Sequence, residues 1–402
     1  MYLTKEEEAM FNGEFGEATE LAIKVVVKVG EVLGATRLID VAHAHISGIS
    51  YFNILDYGVR FIEDLEHKGA CFRTFTTANP YAAINADFNG KFFSNEVINK
   101  QMRVVNALKN MGAKAFTCAP YYIRTPREGE HLAWAESNAV LYANSVCGAR
   151  TNREGGPLSL MEAIIGKTYL SGVHLDENRI PEVSVTVESL RNELEVAAAG
   201  FIIGKYFPTS IPYVKGLSYS YEYYLRGFLA AFGSSSNSPM VVLEGVTPNY
   251  KRLLSRGEIS KSENISVAEV HEFIKEHIKN SCSNALYIIG CPHLSRKEVH
   301  DIVSYVLSKD RIDIHDREMW LITYSNIKLS DNLRRKLLKH GIKIYENICP
   351  VVTRLSMIGV SCVITDSVKA LHYIPKLAGV PAFLLNRESM IRAFTRGDPL
   401  VD

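Results

Sequence analysis

The 402-residue chain has no uninterrupted apolar stretch of the ~20 residues that a membrane-spanning helix needs. It has almost no net charge, since 45 lysines and arginines stand against 44 aspartates and glutamates. Nucleic-acid binding calls for a strongly basic face, so that partner is not expected. The first residues, Met1 to Glu8, lack the basic start and apolar centre of a secretory leader, and a cytoplasmic location is expected. No Cys-x-x-Cys pair occurs, which removes the main support for a zinc ribbon or a thioredoxin-like redox site.

Apolar residues make up 47% of the chain and charged residues 22%, the balance of a globular protein long enough for two or three domains. The seven cysteines are Cys71, Cys118, Cys147, Cys282, Cys291, Cys349 and Cys362. An odd number in a large chain of a reducing compartment does not suggest a disulfide framework. Any metal site must be assembled from cysteines far apart in sequence. Cys71, Cys147, Cys282 and Cys362 sit within or beside apolar runs and read as small buried residues.

Along the chain, Thr4 to Gly34 reads as helices, with Ala22, Val25, Val26, Val29 and Val32 as a stripe. Arg37 to His45 reads as a strand, followed by a turn at Ser47 to Ser50 and a helix through Phe61. Cys71 to Thr77 is a strand, a helix ends at Gly112, and Lys114 to Thr117 is a short strand delivering Cys118. Ala133 to Cys147 reads as one helix, Gly148 to Pro157 as a loop and Leu158 to Ile165 as a helix. The strand Glu182 to Val187 and the helix Ser189 to Ile203 follow. Gly233 to Pro239, rich in serine, is the most linker-like segment.

From Ser266 the pattern is regular. Strands at Asn284 to Ile289, Trp320 to Tyr324, Lys343 to Ile348, Cys362 to Thr365 and Ala382 to Leu385 alternate with helices, two of them opened by serine caps. Alternating strands and helices predict α/β architecture with mainly parallel sheets. The expected domains are an N-terminal α/β region, 1–240, of one or two subdomains, carrying Cys118 and the Arg150-Thr151-Asn152-Arg153 loop, and a C-terminal α/β domain, 266–402, carrying Cys291, Cys349 and Lys369.

In open parallel sheets, ligands bind beyond the carboxyl ends of the strands. Asn79, Cys118, Cys291, Ser325, Cys349, Ser367 and Lys369 all follow such ends, so two sheets are expected to aim polar residues at one cleft. Proline follows Cys291 and Cys349 directly and Cys118 one residue later, which suits rigid ligand loops. Three thiolates suit a soft metal, and they are one short of closing a cubane cluster. A cysteine is more often a small buried apolar residue, and that is the competing reading of the same three. His43 and His45, on one strand face, could bind a metal or simply fill the core. Arg150 and Arg153 could clamp a phosphate or carboxylate, or could pair with Glu154 and Glu136.

Several motifs together resemble the large, cluster-bearing subunit of the aconitase X family over nearly the whole chain. They are Ser47-Gly48-Ile49-Ser50-Tyr51, Ala78-Asn79-Pro80, Thr117-Cys118-Ala119-Pro120-Tyr121, Gly129-Glu130-His131 and Ala133-Trp134-Ala135-Glu136-Ser137. The rest are Asn144-Ser145, Gly148-Ala149-Arg150-Thr151-Asn152-Arg153-Glu154-Gly155-Gly156, Gly290-Cys291-Pro292-His293-Leu294, Cys349-Pro350 and Asp366-Ser367-Val368-Lys369. Cys147 departs from the pattern, standing where an aliphatic residue is expected.

The resemblance implies an aconitase-like fold of three-layered α/β domains around a central cleft. It implies a [4Fe-4S] cluster on Cys118, Cys291 and Cys349, and substrate contacts at Gly48, Ile49, Ser50, Asn79, Pro80, Glu136, Ser137 and Lys369. It also implies a small swivelling-domain subunit, forming a heterodimer and supplying the general base, a serine. The implied substrate is small, anionic and phosphorylated: (R)-5-phosphomevalonate, dehydrated to trans-anhydromevalonate 5-phosphate in a modified mevalonate pathway. Some relatives act instead on cis-3-hydroxy-L-proline. Outside this class, a zinc-stabilised binding protein is the competing reading.

Overall fold

The structure is a computed structural model that describes residues 1–217, 222–278, 282–308, 317–325, 327 and 329–396. The expected C-terminal domain therefore ends in residues 397–402, outside the described residues. The first part of the chain runs α1 (Lys5–Phe11), α2 (Glu17–Val32), β1 (Leu38–Asp40), β2 (His43–Ile46), α3 (Tyr51–His67), β3 (Phe75–Ala78), β4 (Tyr81–Ala82) and α4 (Asn95–Met111). It continues β5 (Ala133–Trp134), α5 (Ser137–Tyr142), α6 (Gly156–Ile165) and β6 (Lys167–Tyr169). Its centre is a parallel sheet in the order β3-β2-β5, and α2, α4 and α6 bury their apolar faces around it.

The middle part runs β7 (Val183–Val187), α7 (Glu193–Tyr206), β8 (Pro212–Lys215), α8 (Glu222–Ser235), β9 (Val242–Leu243), α9 (Tyr250–Leu254), β10 (Lys261–Ile265) and α10 (Val267–Glu276). Its four strands form a parallel sheet, β10-β7-β8-β9. The last part runs β11 (Ala285–Leu294), α11 (Arg296–Leu307), β12 (Glu318–Thr323), α12 (Asp331–Lys339), β13 (Ile342–Glu346), β14 (Ile348–Cys349), β15 (Cys362–Thr365), α13 (Val368–Leu377), β16 (Ala382–Leu384) and α14 (Arg387–Arg396). It holds a five-stranded parallel sheet, β13-β12-β11-β15-β16.

The α/β class with mainly parallel sheets is thus the observed fold. Helix α7 is apolar almost all round, which marks a helix buried on every side. It shares one continuous core with α8, the four-stranded sheet and one face of the five-stranded sheet. The two-stranded parallel pair β14-β4 ties the last part of the chain to the first.

Helix ends follow their local chemistry. Ser94 caps α4, which stops at Gly112 in the left-handed conformation, and Ser295 with Glu298 forms a reciprocal capping box on α11.

Four sequence readings need correction. Arg37 to His45 is two strands, because the chain leaves the antiparallel β1-β6 pair at Val41-Ala42 before entering the central sheet as β2. Lys114 to Thr117 makes only a single bridge, Phe116 to Ala78. Ala133 to Cys147 is not one helix. Ala133 and Trp134 pair with β2, and the helix begins only at Ser137. The serine-rich segment is no exposed linker, since Ser236 and Ser238 are buried and the Arg153 guanidinium donates to the carbonyls of Gly233 and Ser236.

The cysteines outside the cleft also differ from expectation. Cys71 is exposed, and Cys282 and Cys362, 80 residues apart, are joined by a disulfide. An odd cysteine count bears on a framework of bridges, whereas one pair needs only two chain segments that meet. Residue 282 lies just before β11, and Cys362 opens the neighbouring strand β15.

Candidate functional site

The carboxyl ends of β2, β3, β5, β11, β14 and β15 converge on one cleft with a cavity of about 250 Å³. From the first part come Ser47 and Gly48 after β2, Asn79 and Pro80 after β3, Cys118, and Ala135 to Ser137 after β5. Cys291, Cys349 and Lys369 close it from the last part. Ile49 and Ser50 lie beneath, buried, with Ser50 Oγ donating to the Val352 carbonyl at 2.8 Å. Their side chains do not line the cavity. Arg153 does, whereas Arg150 lies elsewhere, bound to Asp176 and the His174 carbonyl. Neither arginine pairs with Glu136 or Glu154, as one reading of their spacing had it. Ser367 lies in a smaller adjoining cavity with Cys291 and Asp366.

Two glycines set the backbone of this cleft. Gly290 has φ +122, and a Cβ there would lie 2.2 Å from the Ile322 carbonyl oxygen. Only glycine fits, and the pairing register of β11 shifts between Ile289 and Leu294, so the strand breaks step where it carries Cys291. At Gly156 a Cβ would lie 2.3 Å from the Ser47 carbonyl oxygen, so the start of α6 can press directly on the Ser47-Gly48 turn.

His293 binds the three cysteine loops together. It lies two residues after Cys291, and its backbone N–H donates to Cys118 Sγ at 3.3 Å. Its ring Nε2 donates to the Ile348 carbonyl, next to Cys349, at 2.9 Å. Nδ1 must then accept from Thr117 Oγ1 at 3.0 Å, one residue before Cys118. Burial keeps this imidazole neutral by lowering its pKa to about 4. Arg226, buried beneath, donates to the His293 carbonyl at 3.0 Å and pairs with Glu298, which Arg387 also holds. Sequence reading had His293 only as part of a motif; its place two residues after a cysteine-proline pair was the available signal.

A second chain of hydrogen bonds supports the carboxylate. Asn79 Nδ2 donates to Glu136 Oε2 at 2.9 Å, which turns Asn79 Oδ1 toward His45 Nε2, 2.8 Å away. His45 Nε2 must therefore carry the proton. Its Nδ1, 2.7 Å from Thr77 Oγ1, accepts from the hydroxyl, which in turn accepts from His43 Nε2 at 2.9 Å. Both histidines are fully buried, and burial depresses both pKa values, His45 to about 4. With three of the four ring nitrogens committed and only His43 Nδ1 left without a partner, the two imidazoles orient Asn79 and Glu136.

Thr77→Val keeps the shape but leaves two buried imidazole nitrogens unpaired. It is expected to cost about 2–6 kcal/mol by denaturant unfolding, from ~1–3 kcal/mol for each lost partner. Unchanged stability would remove the chain as a support.

Glu136 and Lys369 form a buried ion pair, their side chains each 12% exposed. Burial alone would raise the Glu136 pKa, but Lys369 together with hydrogen bonds from Asn79 and Asn138 holds it at about 2. Burial works against the Lys369 charge too, and Glu136 more than offsets it, so the ammonium is retained. The three thiols are pushed the other way. Burial raises Cys118, Cys291 and Cys349, the last to about 12, and for Cys349 the neighbouring Cys291 adds to the shift. Among the described residues, no three His, Cys, Asp or Glu side chains sit closely enough to hold a single metal ion.

Fold and cleft together define an α/β enzyme whose site sets one buried and two half-buried thiols beside a charged pair. Family models place it further. The aconitase X first domain matches residues 1–177, the second domain 181–275 and the third domain 285–396. The chain belongs to the aconitase X family. It is 35% identical to the phosphomevalonate dehydratase large subunit of Methanosarcina mazei, over 99% of this chain and 98% of that one. It is 31% identical to the cis-3-hydroxy-L-proline dehydratase of Pseudomonas aeruginosa, over 93% of this chain and 66% of that one. The holo-form crystal structure of Thermococcus kodakaraensis aconitase X matches with a TM-score of 0.89 at 32% identity, covering 98% and 99% of the two chains. The chain is an enzyme of the dehydratase, or hydro-lyase, class. Among the described residues, no helix is long and apolar enough to cross a membrane.

Proposed function

We propose that the chain is the large subunit of a heterodimer that dehydrates (R)-5-phosphomevalonate to trans-anhydromevalonate 5-phosphate. The observation that carries this reading is the meeting of Cys118, Cys291 and Cys349, from three separate loops, in one cleft with Lys369. Three thiols that burial holds protonated form a donor set that a thiophilic centre would deprotonate and fill. Three thiols from three loops are one short of closing a cubane, which suits a [4Fe-4S] cluster with one iron left without a protein thiolate. When bound, that cluster supplies an open iron that acts as a Lewis acid toward the departing hydroxyl.

The chain's own residues bind and orient. Lys369 and Arg153 present positive charge to a phosphate or carboxylate, with Ser47, Asn79 and Ser137 around it. Glu136, held as a carboxylate at about 2 by its lysine, is a poor proton acceptor near neutral pH. That suits a base brought by a small swivelling-domain subunit, and the large-subunit names of the relatives support such a partner.

A second reading, dehydration of cis-3-hydroxy-L-proline, is favoured by the Pseudomonas aeruginosa relative. The test is to purify the chain anaerobically with its small subunit and assay both substrates. Turnover of phosphomevalonate is the expected result, and turnover of hydroxyproline alone would replace it.

A further inference from the structure

A second cavity, of about 120 Å³, lies apart from the thiol-lined cleft and shares no lining residue with it. That is roughly ten times the ~10–15 Å³ that one water requires, room for a small polyatomic anion. Its walls are the turn Glu128-Gly129, the start of the Gly148-Arg150 loop, the short 3-10 helix Asp176–Arg179, and α9 with the residues on either side of it.

Four guanidiniums line this cavity: Arg150, Arg179, Arg252 and Arg256. Three of them converge on one carboxylate, Asp176. Arg150 pairs with its Oδ1, while Arg252 and Arg256 each lie 3.2 Å from its Oδ2. Arg179 is buried, with its donors on the Val173 and Asn144 carbonyls and no carboxylate partner among its hydrogen bonds. Glu128, the other acid in the lining, accepts from Asn249. Four positive charges thus face two negative ones in a partly enclosed space. The excess reaches the neighbouring histidines. After burial, the main causes that depress His131 are Arg150 and Arg179, and His174 beside it is depressed by burial, His131 and the same two arginines.

Converging guanidiniums with unneutralised charge suit a tetrahedral oxyanion, and Arg252 and Arg256 at the rim can turn donors toward it while Arg150 and Arg179 supply charge behind them. We propose that this cavity binds a phosphate-class anion, either inorganic diphosphate or the phosphate group of a small metabolite. The proposal does not depend on the substrate assigned to the cleft.

The test is calorimetric titration of the full chain with inorganic diphosphate and, separately, with methyl phosphate as the esterified form. One saturable site is expected for at least one of them, and the tighter of the two identifies the source. Arg252→Ala with Arg256→Ala, both removed from the exposed rim, is expected to weaken binding by about tenfold or more. Asp176→Asn frees three guanidiniums and is expected to tighten it, a change that a purely structural ion-pair cluster would not produce. Cys71→Ser, at an exposed position outside both cavities, should leave the affinity unchanged. No saturable binding, full affinity in the double variant, binding no tighter in Asp176→Asn, or loss of binding in Cys71→Ser would each overturn the site.

Discussion

Cys118→Ser, Cys291→Ser and Cys349→Ser are each expected to strip the proposed [4Fe-4S] cluster and lower turnover by more than about a hundredfold. The three side chains occupy three loops that meet only through the fold, and His293 fixes those loops against one another. A serine hydroxyl has the size of the thiol but not its affinity for iron, so the loss is chemical rather than steric. Iron and acid-labile sulfide of anaerobically purified protein measure the first effect, and steady-state rates with the small subunit measure the second. Cys71→Ser, at an exposed position, is expected to change neither. Cys282→Ser and Cys362→Ser remove a disulfide and are expected to cost stability, about 2–4 kcal/mol, with the cluster retained. A serine variant of the first set that keeps its iron, or one of the second set that loses it, would move the ligand assignment.

Lys369→Met is expected to cost about ten- to a hundredfold in kcat/KM, the worth of one charge-assisted contact to an anionic substrate. It should also destabilise the fold by about 3–5 kcal/mol, because it strands Glu136 as a buried, unpaired carboxylate. The two effects separate by pH. With Lys369 present the folded-state pKa of Glu136 is about 2, below its unfolded value near ~4.3, so the pair contributes stability above ~4.3 that is lost as pH falls toward about 2. Without the lysine, burial raises the folded-state pKa above the unfolded one, and the variant loses stability as pH rises past ~4.3. The gap in melting temperature between wild type and variant should therefore widen from about pH 4 to pH 7. Lys369→Met combined with Glu136→Gln should recover most of the stability but not the kinetics. Unchanged kinetics in the single variant would take Lys369 out of the site.

Much of the cleft was legible because strand ends are punctuated. Asn79-Pro80, Gly290-Cys291-Pro292 and Cys349-Pro350 stop or deflect a strand and leave a polar residue at its carboxyl end, and the serine cap at Ser367 starts the helix that carries Lys369. Glu136 is a different case. The motif resemblance named it, but the strand that delivers it, β5, is two residues long and too short for any periodic signal. The helical pattern after Ser137 was then extended backwards over it. Arg150 and Arg153 look equivalent in sequence, yet three residues of loop turn one toward the cleft and the other toward Asp176.

By itself the sequence determined the α/β class, the alternation of strands and helices in the last third apart from the split of Lys343 to Ile348 into β13 and β14 at Asn347, and the three cysteine-proline loops. Local rules decide these: caps, apolar periodicity, and the backbone restriction of glycine and proline. Only the tertiary structure decided that those loops meet, that Lys369 from α13 finds Glu136 after β5, and that Cys282 lies against Cys362. Each joins residues tens to hundreds apart, through packing of the sheets and their helices that no single window of sequence contains. The direction of the proton chain from His43 to Glu136 is of the same kind, since it follows from which donor faces which acceptor once two strands lie side by side.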